Sequence, residues 1–102
     1  MLEITEDDVR SALHEVIDPE LGINVVDLGL IYQVTVEDGR RIRVLMTMTT
    51  PGCPATNYIK GGAERRLMLI PAAEDVEVQL AWSPPWSPDL MSDEARRELG
   101  MS

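Results

Sequence analysis

With 102 residues, the chain is long enough to bury roughly two-thirds of its unfolded surface as one domain spanning 1–102, without disulfide or metal staples. Nine Lys and Arg against 18 Asp and Glu leave a net charge of −9, which repels phosphate backbones and anionic lipid, so neither nucleic acid nor a membrane is an expected partner. A lone cysteine forms no intrachain disulfide, the acidic start MLEITEDDVR lacks a basic-then-apolar leader, and no apolar run approaches ~18 residues, so a cytoplasmic protein is expected.

Thr5 followed by Glu6, Asp7 and Asp8 predicts a helix start, a hydroxyl cap with acids at the positive end of the macrodipole. Val9, Ala12, Leu13, Val16 and Ile17 continue it as one apolar stripe, and Pro19 disfavours helical geometry at Asp18, which ends it. His14 lies off that stripe with no second His to join it and reads as a surface residue. Leu30 to Val36 and Arg41 to Thr49 are rich in branched and apolar residues and read as strands, with Met46 and Met48 on the buried face. The Asp38-Gly39 pair between them predicts a hairpin.

Thr50-Pro51-Gly52 breaks the second strand, and Pro54 suits the first turn of a helix. That helix carries Ala55, Tyr58, Ile59, Gly62, Ala63, Arg66 and Leu67 at helical spacing, and Pro71 stops it. Val76 to Trp82 alternates as a third strand, and the strand–helix–strand succession favours a right-handed parallel crossover. Ser92 caps a last short helix, Asp93 to Leu99, closed by Gly100. The expected class is α/β (α+β): a small three-stranded mixed sheet with helices packed on one face, in the order α-β-β-α-β-α.

Cys53 falls where the second strand gives way to a helix. The unpaired N–H groups of a helix start stabilise a thiolate, Gly52 lets the backbone come close, and Thr49 and Thr50 place hydroxyls beside it. The alternative is an inert buried cysteine in an ordinary loop. One Cys and one His cannot complete a metal or cluster site, so a cluster here has to be shared between two chains of a homodimer or with cysteines of another protein. Cys53-Pro54-Ala55-Thr56 also has the C-x-x-T form of monothiol redox sites, with Thr50 three residues ahead as in thiol peroxidases, although Met46 stands where those carry proline. A hydrolytic Cys–His pair would have to use the exposed His14.

Asp18-Pro19-Glu20, Asp27-Leu28-Gly29-Leu30-Ile31-Tyr32, Thr49-Thr50-Pro51-Gly52-Cys53-Pro54 and the tail WSPPWSPDLMSDEARRELG occur in an order that resembles the SufT-like and PaaD-like metal–sulfur cluster assembly domain. The resemblance implies a fold similar to the C-terminal domain of NifU scaffolds. It also implies a non-enzymatic accessory role, as scaffold, carrier or adaptor, in maturing iron–sulfur proteins. Its cofactor would be a transient iron–sulfur cluster, and its partners the assembly machinery and client apoproteins. It marks Cys53 as the reactive position, with Asp18, Glu20, Asp27, Thr49 and Thr50 in the surrounding motifs. The PaaD branch adds a cysteine-rich C-terminal segment that is missing before Ser102, so the general assembly-factor branch is the closer likeness. The alternative function is a thiol-dependent redox enzyme with Cys53 as nucleophile. On plain structural grounds Asp18 and Glu20 end a helix and begin a turn, Asp27 caps the turn before Leu28, and Trp82 and Trp86 pack the core and tail.

Overall fold

The computed structural model describes residues 3–100, with elements α1 (Glu6–Leu13), β1 (Ile31–Glu37), β2 (Arg41–Met46), α2 (Thr56–Met68), β3 (Asp75–Leu80), a 3-10 turn (Pro88–Leu90) and α3 (Asp93–Glu98). The predicted order of elements is the observed one. β2 is central, antiparallel to β1 and parallel to β3, so the sheet is mixed and the crossover through α2 joins the parallel pair. Asp38 and Gly39 both take positive φ, 55° and 65°, as the predicted hairpin turn requires.

Alternation along the strands decides which face is covered. Val34, Ile42, Val44, Met46 and Val78 are buried in one core cluster with Val9, Leu13, Ile59, Ala63 and Leu67 of α1 and α2. Gln33, Thr35, Arg43, Glu77 and Gln79 line the opposite, open face, where Arg43 pairs with Glu37 at 3.0 Å and Glu77 at 3.8 Å. Among the described residues no helix is long and apolar enough to cross a membrane.

α1 starts as predicted: Asp8 N–H donates to Thr5 Oγ1 at 3.1 Å while Thr5 N–H donates to Asp8 Oδ2 at 2.9 Å. It ends at Leu13, not at Asp18. Glu15 and Val16 N–H already bond three residues back, to Ala12 and Leu13, and Val25 N–H then bonds Val16 O, drawing the chain into an isolated bridge between Ile17 and Asn24. β2 stops at Met46, three residues short of the expectation, although Thr47 N–H still donates to Leu30 O at 2.8 Å.

The tail folds back across the Asp27–Tyr32 segment. Trp86 Nε1–H donates to Leu28 O and Tyr32 O–H to Pro84 O, both at 2.7 Å, and Ser92 N–H donates to Asp27 O at 2.8 Å. Gly29 makes this approach possible: its φ is +77°, and a side chain there would run into the Leu90 carbonyl. Trp86 therefore packs as expected, whereas Trp82, expected in the core, is 44% exposed because β3 ends at Leu80.

Candidate functional site

The turn after β2 sets the sulfur in place. Gly52 at φ +76° closes it, and Cys53 N–H donates to Thr50 O at 3.3 Å. Thr56 then ties the next turn to the same residue, its N–H and its hydroxyl both donating to Cys53 O, at 3.1 and 2.7 Å. The C-x-x-T spacing is therefore explained by a backbone bond. α2 begins at Thr56, with Ala55 as N-cap and no side-chain cap, so Cys53 precedes the helix and does not occupy its first turn. The helix-start stabilisation expected from the sequence is displaced onto later residues.

What faces the sulfur is a carboxylate. Cys53 is 9% exposed, and its thiol donates to Glu20 Oε1 at 3.6 Å. Asp18 holds that carboxylate in position: it is buried, and its Oδ1 accepts N–H bonds from Glu20 at 2.8 Å and Leu21 at 3.3 Å. These bonds define the short turn that carries Glu20 to Cys53. The fold thus brings Asp18, Glu20 and Cys53 together in a row of support, ligand-type oxygen and sulfur.

The remaining motif residues lie differently. Asp27 is engaged by Asn24, whose Nδ2 donates to Oδ2 at 2.7 Å and whose Oδ1 accepts Asp27 N–H at 2.9 Å. Its other oxygen is 4.0 Å from His14 Nε2, and His14 Nδ1–H donates to Arg10 O at 2.9 Å. Asp27 therefore locks the loop under the tail. Asn24, absent from the sequence-based candidates, does the capping assigned there to Asp27; the Asn-x-x-Asp spacing was the available signal. Thr50 serves the turn through its carbonyl and is exposed, and Thr49 is half-buried.

A soft sulfur beside one hard oxygen is an incomplete donor set. Among the described residues no group of three or more His, Cys, Asp or Glu side chains could hold a metal ion. An iron ion or cluster bound here would need further donors from outside the chain.

The family model described as iron–sulfur cluster assembly protein matches residues 6–80, which includes Asp18, Glu20, Asp27 and Cys53. The Fe–S protein maturation auxiliary factor SufT of Staphylococcus aureus is 48% identical over 85% of this chain and 99% of its own length. The auxiliary factor YitW of Bacillus subtilis is 38% identical over 99% of both chains. An iron–sulfur cluster carrier protein of Mycobacterium leprae is 33% identical over 89% of this chain but only 22% of its own length. The crystal structure of a domain of unknown function, DUF59, from Bacillus anthracis superposes with a TM-score of 0.90 at 39% identity, covering 95% of this chain and 92% of that one. With the family match covering most of the chain and relatives aligned end to end, this chain belongs to the iron–sulfur cluster assembly protein family.

Proposed function

We propose that the chain is a non-enzymatic accessory factor in the maturation of iron–sulfur proteins, holding a cluster or its iron transiently at Cys53 and passing it to a client apoprotein. The observation that carries this reading is the Cys53 thiol set against Glu20 at 3.6 Å, where among the described residues no third His, Cys, Asp or Glu side chain joins them to complete a metal site. Ligation by sulfur displaces the thiol proton, and the Glu20 carboxylate is the nearest acceptor for it. A two-donor site binds cargo without completing its coordination, which suits delivery better than storage. The names of the relatives, maturation auxiliary factors and a cluster carrier, support the same role. Asp18 and Glu20 support the site, Thr49 and Thr50 belong to the segment that turns into Cys53, and Asp27 holds the loop beneath the tail. A lone unpaired thiol suits the reducing cytoplasm.

Anaerobic reconstitution with iron and sulfide tests the proposal. The expected product has cluster absorbance in the visible, is a dimer with one cluster bridging two Cys53 thiolates, and returns toward monomer with chelator. Cys53→Ser should lose the colour and keep the fold. Equal iron and sulfide on the Ser variant would remove Cys53 as ligand. Turnover with peroxide or a disulfide substrate, in place of cluster binding, would assign the same thiol to redox catalysis.

A further inference from the structure

The seam between α1 and α2 carries two adjoining concavities of about 340 and 230 Å3 that share Glu15 and Arg66 as common walls. The Glu15–Arg66 ion pair, 2.6 Å long, bridges them across the seam. Such an exposed pair costs little to rearrange, so the two hollows form one interrupted groove. Apolar side chains are left on its rim: Leu69 is 73% exposed, Tyr58 63% and Ile17 45%. Periodicity alone places Ile17 and Tyr58 on buried stripes. Ile17 escapes because α1 ends at Leu13, and Tyr58 because the buried face of α2 runs through Ile59, Ala63 and Leu67.

The groove is also electrically polarised. Glu3 and Asp8 line the end formed by the start of α1. Arg65, which has no ion-pair partner among the described residues, lines the second hollow, on a chain whose net charge is −9. That hollow adjoins the candidate site. Ile17 immediately precedes the Asp18–Glu20 turn, Glu20 meets Cys53, and Tyr58 sits in the first turn of α2.

We propose that this seam docks an amphipathic helical segment of the client apoprotein, apolar face in the two hollows, N-terminus toward Glu3 and Asp8 and an acidic C-terminal turn toward Arg65. A helix of that polarity matches the groove twice over, because its own dipole is positive at the first end and negative at the second. It would bring the client alongside Cys53, and in this it rests on the proposed role in cluster delivery.

The test uses the full chain, labelled with 15N, and a synthetic peptide of about four helical turns with leucines on one face, lysines in the first turn and glutamates in the last. A peptide with the charges exchanged is the control. The first peptide should shift the amides of Ile17, Tyr58, Gly62 and Leu69 and bind about tenfold more tightly than the control. Arg65→Glu, at an exposed position, should abolish that preference with an unchanged circular dichroism spectrum. Gly62→Leu should block binding of both peptides by filling the groove, since a Cβ there meets only Val16 Cγ1 at 3.7 Å. Equal affinity for the two peptides, shifts confined to the open sheet face, or no shifts at millimolar peptide would overturn the proposal. So would shifts that grow with protein concentration alone, which would make a second copy the occupant. Cluster loading of Arg65→Glu should equal that of the parent. Failure of peptide binding with normal loading ends the docking proposal only, and failure of loading with normal peptide binding ends the cargo reading only.

Discussion

Cys53 and Glu20, 33 residues apart in sequence, meet with Sγ 3.6 Å from Oε1, so the sulfur faces a carboxylate and not the start of a helix. A thiol can donate to that oxygen; a thiolate would place a second negative charge beside it. Glu20→Gln keeps the shape and removes the charge. Alkylation of Cys53 by iodoacetamide at neutral pH should then run faster, by about threefold or more, since the bulk-water limit for one charge at this distance is the smallest effect expected at a buried sulfur. An unchanged rate would mean that the carboxylate does not govern the sulfur.

Asp18 belongs to the same site by support and not by contact. Its Oδ1 accepts the N–H groups of Glu20 and Leu21. Asp18→Ala leaves both donors unpaired and should cost about 2 kcal/mol in urea denaturation. Asp18→Asn keeps an acceptor oxygen at the same place and should recover most of that loss. If Asn is as harmful as Ala, the negative charge itself is needed.

Gly29 controls the tail. At φ +77°, with the Leu90 carbonyl in the space a Cβ would take, Gly29→Ala must both strain the backbone and push the tail away. A loss of about 2 kcal/mol or more is expected, with Trp86 fluorescence shifting to the red as its bond to Leu28 O breaks. A variant with parental stability and an unmoved Trp86 signal would show that the tail is not held through this contact.

Much of this architecture is written in local residue choices. Thr5 with Asp8, Asp38-Gly39, and Ser92 with Ala95 each specify their turn or cap through bonds made within four residues, and each is found where expected. The failures occur where a distant partner decides. Ile17 fits the helical stripe by spacing, but its backbone is taken by Asn24. Trp82 continues the alternation of β3, but the strand pairing that would bury it ends at Leu80. The Cys53–Glu20 contact joins two separately visible motifs, and no local spacing records that they touch; the resemblance put both residues in the motifs but did not pair them.

The Glu15–Arg66 pair supplies a pH dependence. The Arg66 guanidinium, hydrogen-bonded at 2.6 Å, holds the Glu15 carboxyl below its usual value of 4.5. A depressed folded value means that the pair's stabilisation is present above the ordinary carboxylate range and is lost as pH falls through the folded value. In Arg66→Met, the Glu15 side-chain carboxyl followed by 13C NMR should titrate at higher pH than in the parent. The stability gap between the two proteins should narrow between about pH 6 and about pH 3. A gap that is constant over this range would mean that Arg66 acts by packing alone.

Thr47 offers the opposite case, a buried polar group left unpaired among the described residues. It lies between β2 and the Cys53 turn, its N–H donates to Leu30 O at 2.8 Å, and its hydroxyl has no partner among the described residues. Valine has the same branched shape and lacks the oxygen, so Thr47→Val removes an unpaired hydroxyl without opening a cavity. The urea midpoint should rise, by an amount equivalent to about 1 kcal/mol, and the Thr47-to-Leu30 backbone bond should survive as a slowly exchanging amide at residue 47. Because the hydroxyl lies only six residues before Cys53, the same variant separates packing from chemistry: alkylation of Cys53 should be unaffected. A fall in stability, or a changed rate at Cys53, would show that the hydroxyl is bonded in solution and takes part in setting the turn that carries the sulfur.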